Sequence, residues 1–293
     1  MKNIQNFKGI FPALLTPFNE NDKINEKALE QLVRLNIEKG VSGFYVGGST
    51  SEAFLMSIDE RKYILDLVES MVDTETALIA HVGCISTSHT IELAKHAAEL
   101  GYDAISAIPP FYYKFSLNEI KQHYFSIADN VDMPIIVYNF PGFSGVTLSV
   151  ADLSEFFADN RFIGFKHTSS DFYTMEQTKS VFPDKLIYNG FDEMFLAGLS
   201  MGADGGIGST YNFMAEKFLK MYKLFNESNI TKAQKIQKEI NVIIKILCEV
   251  GVMQAEKELL NIMGLDFGKC RQPYATLTND QKKYLKATVM PLL

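Results

Sequence analysis

Short apolar runs recur along the chain, and between them apolar residues return every three or four positions. The runs are typical of β-strands and the intervening pattern of amphipathic helices. One helix is predicted over 28–37, where Leu29, Leu32, Val33 and Ile37 share a face, and another over 91–100, before Gly101. The strand cores are predicted at 9–15, 43–46, 77–82, 104–108, 134–138, 162–166, 186–188 and 205–207.

The spacing of these strands predicts the fold class. Their starts lie 19 to 34 residues apart, which is room for a strand and a crossover helix. Runs such as PIIVY and ALIAHV are apolar on both faces, as buried parallel strands are. Eight such units predict an α/β fold, a (β/α)8 TIM barrel. The alternative is a doubly wound sheet, which normally has fewer strands and often a glycine-rich first turn, whereas this first turn reads LLTPF.

The last part of the chain is predicted to be helical. Residues 215–226 suit the eighth barrel helix, and 231–250, 254–263 and 280–288 continue as helices without a comparable strand signal. We therefore divide the chain into a barrel domain over 1–226 and a C-terminal helical extension over 227–293. The extension is expected to pack on the barrel and to have no function of its own.

Composition narrows the function classes. The 293 residues are 47% apolar and 22% charged, as in soluble globular proteins. A net charge of −7 argues against nucleic acid as a partner, and no apolar run approaches the roughly 18 residues of a membrane span. Three cysteines, Cys84, Cys248 and Cys270, make no disulfide framework. With no signal peptide evident, a cytoplasmic protein is expected. The five histidines show no metal-binding spacing.

Lys166 ends an apolar strand in the string FIGFKHTSS. In a barrel the active site lies at the carboxyl ends of the strands. One interpretation is a lysine that extends its ammonium group to the barrel rim. The other is a nucleophile, because apolar surroundings favour the free amine, which attacks carbonyl carbons to form a Schiff base.

Tyr138 ends the preceding strand, PIIVY. Apolar strands often end in a tyrosine that only packs. Neighbouring strands of a barrel open into the same mouth, however, so Tyr138 and Lys166 are expected to lie together. A phenol placed there can transfer protons during the chemistry of an imine.

A glycine-containing segment follows the second predicted strand. In Gly47-Gly48-Ser49-Thr50-Ser51-Glu52, no Gly-Lys-Ser/Thr follows at the spacing of a nucleotide phosphate loop. Backbone N–H groups and hydroxyls there can bind a small carboxylate, although an ordinary tight turn fits equally well.

At the last two strands, Asp192 and Glu193 would repel the phosphate that many barrels bind in this place. Carboxylates accept hydrogen bonds from sugar hydroxyls instead. The alternative is that Asp192 only caps the following helix.

Together these strings resemble a known family. GGSTSEAF, FYY, VYN-x-P, FKHTS, YNGFDE and GADGGIGSTYN are similar to those of the class I aldolases typified by N-acetylneuraminate (sialic acid) lyase and dihydrodipicolinate synthase. The resemblance runs from about Gly9 to the C-terminal helices and is nearest to the lyase branch. It implies a homotetrameric barrel that cleaves N-acetylneuraminate reversibly to N-acetylmannosamine and pyruvate, without a metal or organic cofactor.

The resemblance also implies roles for individual residues. Lys166 matches the Schiff-base lysine, Tyr138 the tyrosine that moves protons, and Tyr112 a tyrosine that reaches the neighbouring subunit's site. Ser49 and Thr50 match the residues that hold the pyruvyl carboxylate. The positions that match contacts to the sugar portion are Thr168, Gly190, Asp192, Glu193, Gly208 and Ser209.

Two positions differ from patterns that are usual in the family. One distinguishes the two branches of the family, and the other lies in the glycine-containing segment after the second strand. Phe143 stands where the synthase branch usually has an arginine that clamps a carboxylate, and a phenyl ring cannot replace a bidentate guanidinium. Ser51 stands where the family usually has glycine. If that position has a positive φ, serine there costs on the order of 1 kcal/mol and the loop shifts.

Three other functions remain as alternatives. One is an aldolase for a different 2-keto acid, such as a 2-keto-3-deoxy sugar acid or the substrate of a dihydrodipicolinate synthase. Another is a catalytically silent homologue that binds a keto acid or sugar, with Ser51 in its favour. A barrel that binds phosphosugars fits poorly with Asp192 and Glu193.

Overall fold

The computed structural model describes residues 4–293, in which eight strands form one parallel sheet. Each strand pairs with the next from β2 to β8, and β8 pairs with β1. The backbone N–H of Leu14 donates to the carbonyl of Tyr45 at 3.0 Å, which brings β1 and β2 together and nearly closes the barrel. The predicted (β/α)8 barrel is confirmed. Strands β1–β8 are Gly9–Pro12, Gly43–Val46, Ala77–His81, Ala104–Ala107, Ile135–Asn139, Phe162–His167, Leu186–Asn189 and Gly205–Gly208.

Helices follow the strands in turn and continue beyond the last one. Short 3-10 helices also occur in the loops, two of them at Ser49–Ser51 and Asp192–Met194. The α-helices of the described residues, α1–α12, are Glu26–Lys39, Ile58–Met71, Thr87–Glu99, Leu117–Asn130, Pro141–Ser144, Val150–Phe157, Phe172–Val181, Phe195–Ser200, Tyr211–Asn226, Ile230–Val250, Val252–Ile262 and Asn279–Thr288.

Local sequence fixes where several helices begin. At α2, the Ser57 side chain accepts from the Glu60 N–H at 3.2 Å, and the Glu60 carboxylate accepts from the Ser57 N–H at 2.9 Å. Helices α4, α6 and α12 begin with the same reciprocal arrangement. Such caps satisfy N–H groups that the helix itself leaves unpaired, and each typically contributes about 1 kcal/mol.

The interior of the barrel is a packed core. Phe11, Tyr45, Tyr188 and other side chains that point inward form one cluster, separate from the larger cluster between strands and helices. Phe7, just before β1, belongs to the inner cluster, and its carbonyl accepts from the Tyr188 hydroxyl at 2.5 Å. These contacts fill the amino end of the barrel, which leaves the carboxyl ends of the strands for a site.

Helix α10 covers part of the mouth of the barrel. Gln237 of α10 donates to the Asp192 carbonyl and Asn241 donates to the Glu193 carbonyl, both at 3.1 Å. The predicted helices of this region agree with the structure within two residues at most ends. The division at residue 226 stays a prediction.

Within residues 4–293, no helix is both long and apolar enough to cross a membrane. In the same range, no three His, Cys, Asp or Glu side chains are grouped as metal ligands. All three cysteines are free thiols, and Cys84 and Cys270 are buried.

Candidate active site

Lys166 and Tyr138 meet at the carboxyl ends of β6 and β5. The parallel register pairs the two residues directly, so both side chains lie on the same face of the sheet. The Lys166 Nζ lies 4.0 Å from the centroid of the Tyr138 ring and 4.3 Å from that of Tyr45. The structure therefore brings together the two residues that the sequence singled out first.

The position of Lys166 favours the free amine. Burial lowers the pKa of Lys166 to about 7, although the nearby Asp192 carboxylate acts in the opposite direction. The ammonium loses its hydration inside the barrel, while two aromatic faces give only partial compensation. A substantial fraction of Lys166 is thus the uncharged amine at neutral pH.

Tyr138 is a buried phenol that keeps its proton in the resting protein. Burial raises its pKa above the ordinary value, and Asp192 acts in the same direction. Its ring stacks on Phe140 at 5.9 Å between centroids and meets the His81 ring edge-on at 6.1 Å. These contacts hold the phenol in one orientation beside Lys166.

Tyr45 is the second aromatic residue beside Lys166, and it was not among the residues predicted from the sequence. Its hydroxyl donates to Ser106 at 3.1 Å, and burial raises its pKa well above the ordinary value. The available signal was a tyrosine in β2, a strand otherwise apolar on both faces. Alternation places the Tyr45 side chain inside the barrel.

A buried imidazole orients the glycine-rich loop after β2. The Ile108 N–H donates to His81 Nε2 at 3.3 Å, so His81 carries its proton on Nδ1, which donates to the Gly47 carbonyl at 3.1 Å. Burial lowers the pKa of His81 well below its ordinary value, so the ring is neutral. Because the peptide is trans, holding the Gly47 carbonyl turns the Gly48 N–H away from His81.

The hydroxyls of this loop differ in their surroundings. Ser49 Oγ is buried and has no hydrogen-bond partner among the described residues, and Thr50 is half-buried beside it. Ser51 is not among the described residues with positive φ; the left-handed residue is Glu52, at +59°. The strain considered for Ser51 is therefore absent. Its hydroxyl instead lies 2.5 Å from that of Thr16.

Glu52 connects the loop after β2 to the C-terminal extension. It pairs with Lys257 of α11, and the two side chains are 0% and 1% exposed. The Arg271 N–H donates to the second carboxylate oxygen of Glu52 at 2.7 Å. Sequence reasoning missed Lys257 and Arg271.

Two glycines at the other side of the mouth leave space for polar side chains. A Cβ at Gly190 would lie 1.8 Å from Thr168 Oγ1, and one at Gly208 would lie 1.8 Å from Asp192 Oδ1. Asp192 Oδ1 is buried and has no hydrogen-bond partner among residues 4–293, whereas the buried Thr168 side chain interacts with the Tyr138 phenol. The glycines thus allow a hydroxyl and a carboxyl oxygen to approach the backbone.

The Asp192 carboxylate is buried, and one of its two oxygens accepts hydrogen bonds. Oδ2 accepts from the Thr210 N–H at 2.9 Å and from its hydroxyl at 2.6 Å. Burial raises the pKa of Asp192 to about 6. No hydrogen bond from its side chain caps a helix at this turn, so the capping interpretation is wrong. Glu193 is half-buried next to it.

Ser209 links this side of the mouth to the extension. Its hydroxyl donates to Glu256 Oε1 of α11 at 2.6 Å. Glu256 is 0% exposed, and burial raises its pKa to about 8. Sequence reasoning missed Glu256, because Glu-Lys within a helix usually indicates a solvated face.

Tyr112 lies apart from the buried cluster. Its side chain is 83% exposed, its φ is +75°, and its ring packs edge-on against Tyr113 with centroids 5.0 Å apart. A positive φ is disfavoured for a bulky residue. The exposed ring is accessible for contact with another molecule.

Comparison with known proteins assigns the family. Residues 6–291 match the model of the dihydrodipicolinate synthetase family. The chain belongs to this family. The N-acetylneuraminate lyase of Rhizobium meliloti is 45% identical over 287 residues, which cover 98% of this chain and 95% of the relative.

Solved structures of similar proteins agree closely with the fold. The protein CdNal of Clostridium difficile, in complex with mannosamine, has a TM-score of 0.95 and 41% identity, covering 98% of this chain and 99% of its own. A catalytic lysine mutant of the Ruminococcus gnavus sialic acid aldolase has a TM-score of 0.96 and 32% identity. It covers all of this chain and 97% of its own.

Proposed function

We propose that this chain is a class I aldolase that cleaves N-acetylneuraminate to N-acetylmannosamine and pyruvate, and that Lys166 forms the Schiff base. One observation carries the proposal: the buried Lys166 amine lies 4.0 Å from the ring centroid of Tyr138. The chain is 45% identical to an N-acetylneuraminate lyase, and the similar sialic acid aldolase of Ruminococcus gnavus has a catalytic lysine.

The first step is formation of the imine. The free amine of Lys166 attacks C2 of the open-chain substrate and gives a carbinolamine. Tyr138 holds its proton because burial raises its pKa, so it donates that proton to the departing C2 hydroxyl, which leaves as water. The phenolate that remains is stabilised by the iminium cation beside it.

Cleavage follows from this charge arrangement. The Tyr138 phenolate accepts the proton of the C4 hydroxyl as the C3–C4 bond breaks, and the iminium takes the electron pair to become an enamine. N-acetylmannosamine leaves. Tyr138 returns a proton to C3, and water hydrolyses the new imine to release pyruvate and free Lys166.

The carboxylate of the substrate fits the loop after β2. The Ser49 hydroxyl without a partner, the Thr50 hydroxyl and the Gly48 N–H are suitable donors for an anion. The neutral His81 ring holds the loop in place through the Gly47 carbonyl. Ser49 and Thr50 are therefore assigned to the pyruvyl carboxylate.

The sugar portion fits the opposite side of the mouth. Asp192 presents an oxygen without a protein partner, Thr168 presents a buried hydroxyl next to Tyr138, and Gly190 and Gly208 leave room beside them. Glu193 and Ser209 complete this group. Carboxyl oxygens and hydroxyls are suited to a neutral polyol, and the exposed Phe143 provides no cation for a second carboxylate.

The homotetramer and the cytoplasmic location belong to this proposal. An exposed tyrosine with positive φ, Tyr112, is suited to reach into a neighbouring subunit's site. Light scattering of the purified protein measures the assembly. Partial recovery of activity on mixing Y112F with a K166A variant would support a site shared between subunits. Three free thiols fit a reducing compartment.

The test of the covalent step is reductive trapping. The protein is incubated with pyruvate and borohydride, and the modified peptide is mapped by mass spectrometry. Modification at Lys166 that is lost in K166A and kept in K223A is expected, since Lys223 is a surface lysine. Absence of a pyruvyl adduct at Lys166 in the wild-type protein contradicts the mechanism.

The test of the substrate is a direct comparison. Cleavage of N-acetylneuraminate is measured against cleavage of 2-keto-3-deoxygluconate and against condensation of pyruvate with the aldehyde of the synthase reaction. The proposal expects the highest kcat/KM for N-acetylneuraminate. A higher kcat/KM for another substrate would assign the chain to a related aldolase activity. Pyruvate binding without turnover would identify a catalytically silent homologue.

A further inference from the structure

Helix α11 of the extension places a buried carboxyl group against the sugar side of the site. Glu256 is 0% exposed and accepts the Ser209 hydroxyl at 2.6 Å through Oε1. Its other oxygen, Oε2, is buried and has no hydrogen-bond partner among residues 4–293. Folding an unsatisfied carboxyl oxygen costs stability, so its retention requires a reason.

The surrounding geometry points to a ligand. Asp192 Oδ1 is a second buried oxygen without a partner, and it lies directly against Gly208. Ser209 follows Gly208 and bonds to Glu256. Asp192, Gly208, Ser209 and Glu256 therefore form one continuous group, with an unsatisfied oxygen at each end.

We propose that Glu256 is a specificity-determining residue of the sugar side, where its free oxygen and the Ser209 hydroxyl that it orients recognise the hydroxyl-rich portion of the substrate. The inference rests on the proposed function and adds a residue from the extension to the site. Because Ser209 uses its hydrogen on Glu256, its oxygen is left to accept a hydrogen bond from the sugar.

The protonation of Glu256 supports this arrangement. Its pKa of about 8 keeps it uncharged at neutral pH, and with Oε1 accepting from Ser209 the proton resides on Oε2. That oxygen is then a donor for a hydroxyl or amide oxygen of the sugar. An uncharged Glu256 also avoids repulsion with Asp192, which raises the pKa of Glu256.

Ionisation of Glu256 at alkaline pH should weaken binding of the sugar portion. A charged Glu256 loses its donor and faces Asp192 from the turn after β7. Cys248 of α10 and Cys270 of the C-terminal segment also interact electrostatically with Glu256, and Lys257 is its neighbour on α11. E256Q removes the charge of Glu256 and leaves all of these groups in place.

The experiment measures KM for N-acetylneuraminate and pyruvate trapping at Lys166 in wild type, E256L and E256Q. E256L is expected to raise KM roughly 10-fold or more with little change in trapping. E256Q is expected to keep KM near the wild-type value at pH 7. For the wild type, KM is expected to rise between pH 7 and 9, and E256Q should lack this rise. E258Q, which changes the charge two residues along α11, is the matched control.

The outcomes separate this inference from the proposed function. Absence of N-acetylneuraminate cleavage by the wild-type protein overturns the proposed function and this inference with it. Wild-type cleavage with an unchanged KM in E256L, or with the same pH profile in E256Q, overturns the inference alone. If E256L does not fold, the isosteric E256Q decides through its pH profile.

Discussion

Glu52 and Lys257 form an ion pair that is enclosed between the loop after β2 and helix α11, with side chains 0% and 1% exposed. The pair joins the proposed carboxylate loop to the extension. The Lys257 Nζ also lies 4.3 Å from the centroid of the Phe18 ring. The geometry of the loop thus depends on residues more than 200 positions further along the chain.

Removing one partner of this pair should destabilise the protein strongly. K257M leaves the Glu52 carboxylate buried without its cation, which typically costs about 3–5 kcal/mol. The free energy of unfolding, measured by urea denaturation, is expected to fall by that amount.

A surface pair provides the control for this prediction. Lys223 and Glu227 are 75% and 54% exposed, so K223A should change the unfolding free energy by only about 0–1 kcal/mol. The double variant E52Q/K257M should recover part of the loss, because no charge is left unpaired. An equal effect of K257M and K223A would contradict the prediction.

Loss of the Tyr138 hydroxyl should remove proton transfer. Y138F keeps the ring under Lys166, so kcat for cleavage is expected to fall roughly 10²- to 10⁴-fold with unchanged folding. Y45F is the matched control, since it keeps the other ring under Lys166 and loses only the hydrogen bond to Ser106. Similar activities of Y138F and Y45F would remove Tyr138 from the mechanism.

Trapping of pyruvate should depend on pH through Lys166. The nucleophile is the free amine, so the trapping rate should increase with pH and reach half its maximum near the pKa of Lys166, about 7. Asp192, with a pKa of about 6, is ionised at that pH and raises the pKa of Lys166.

Neutralising Asp192 should therefore move the trapping midpoint to lower pH. In D192N the anion that favours the ammonium is gone, and burial alone acts on Lys166. E239Q removes a carboxylate that is 61% exposed and should leave the midpoint unchanged. A shift to higher pH in D192N would refute the electrostatic assignment.

Gly208 should not tolerate a side chain. In G208A the new Cβ would lie 1.8 Å from Asp192 Oδ1, and such overpacking typically costs about 1–3 kcal/mol. We expect KM for N-acetylneuraminate to rise, while pyruvate trapping changes little.

The control for this prediction is G142A. A Cβ at Gly142 would meet its nearest heavy atom at 3.4 Å, in Phe140, which is an ordinary contact. Equal KM values for G208A and G142A would show that Asp192 does not need this space.

Restoring the glycine usual in the family at position 51 should lower stability. Ser51 is buried, lacks a positive φ and contacts the Thr16 hydroxyl at 2.5 Å. S51G gains no relief of strain and loses this contact, which should cost about 1 kcal/mol. A higher melting temperature in S51G would show that the serine is strained after all.

Much of the site could be predicted from local sequence. In β5 and β6, alternation and the parallel arrangement place Tyr138 and Lys166 on the same inner face, so their meeting follows from strand order alone. The motifs around Ser49, Thr168 and Asp192 likewise indicate chemistry, because strand ends in a barrel converge on one mouth.

The remaining residues of the site could not be predicted in this way. Glu256 and Lys257 are adjacent polar residues in a helix, and their sequence is also typical of a solvated face. Tertiary packing buries both and directs one to Ser209 and the other to Glu52. The pKa of Lys166 likewise depends on how deeply the amine is enclosed.

The sequence by itself determined the barrel, its order of strands and the pairing of Tyr138 with Lys166, because hydrophobic periodicity is a local property. Only the tertiary structure decided that Glu52, rather than Ser51, has the left-handed backbone. It also decided that the extension contributes two buried polar side chains, Glu256 and Lys257, beside the mouth. Burial and hydrogen-bond partners arise from contacts between distant parts of the chain, and no local pattern records them.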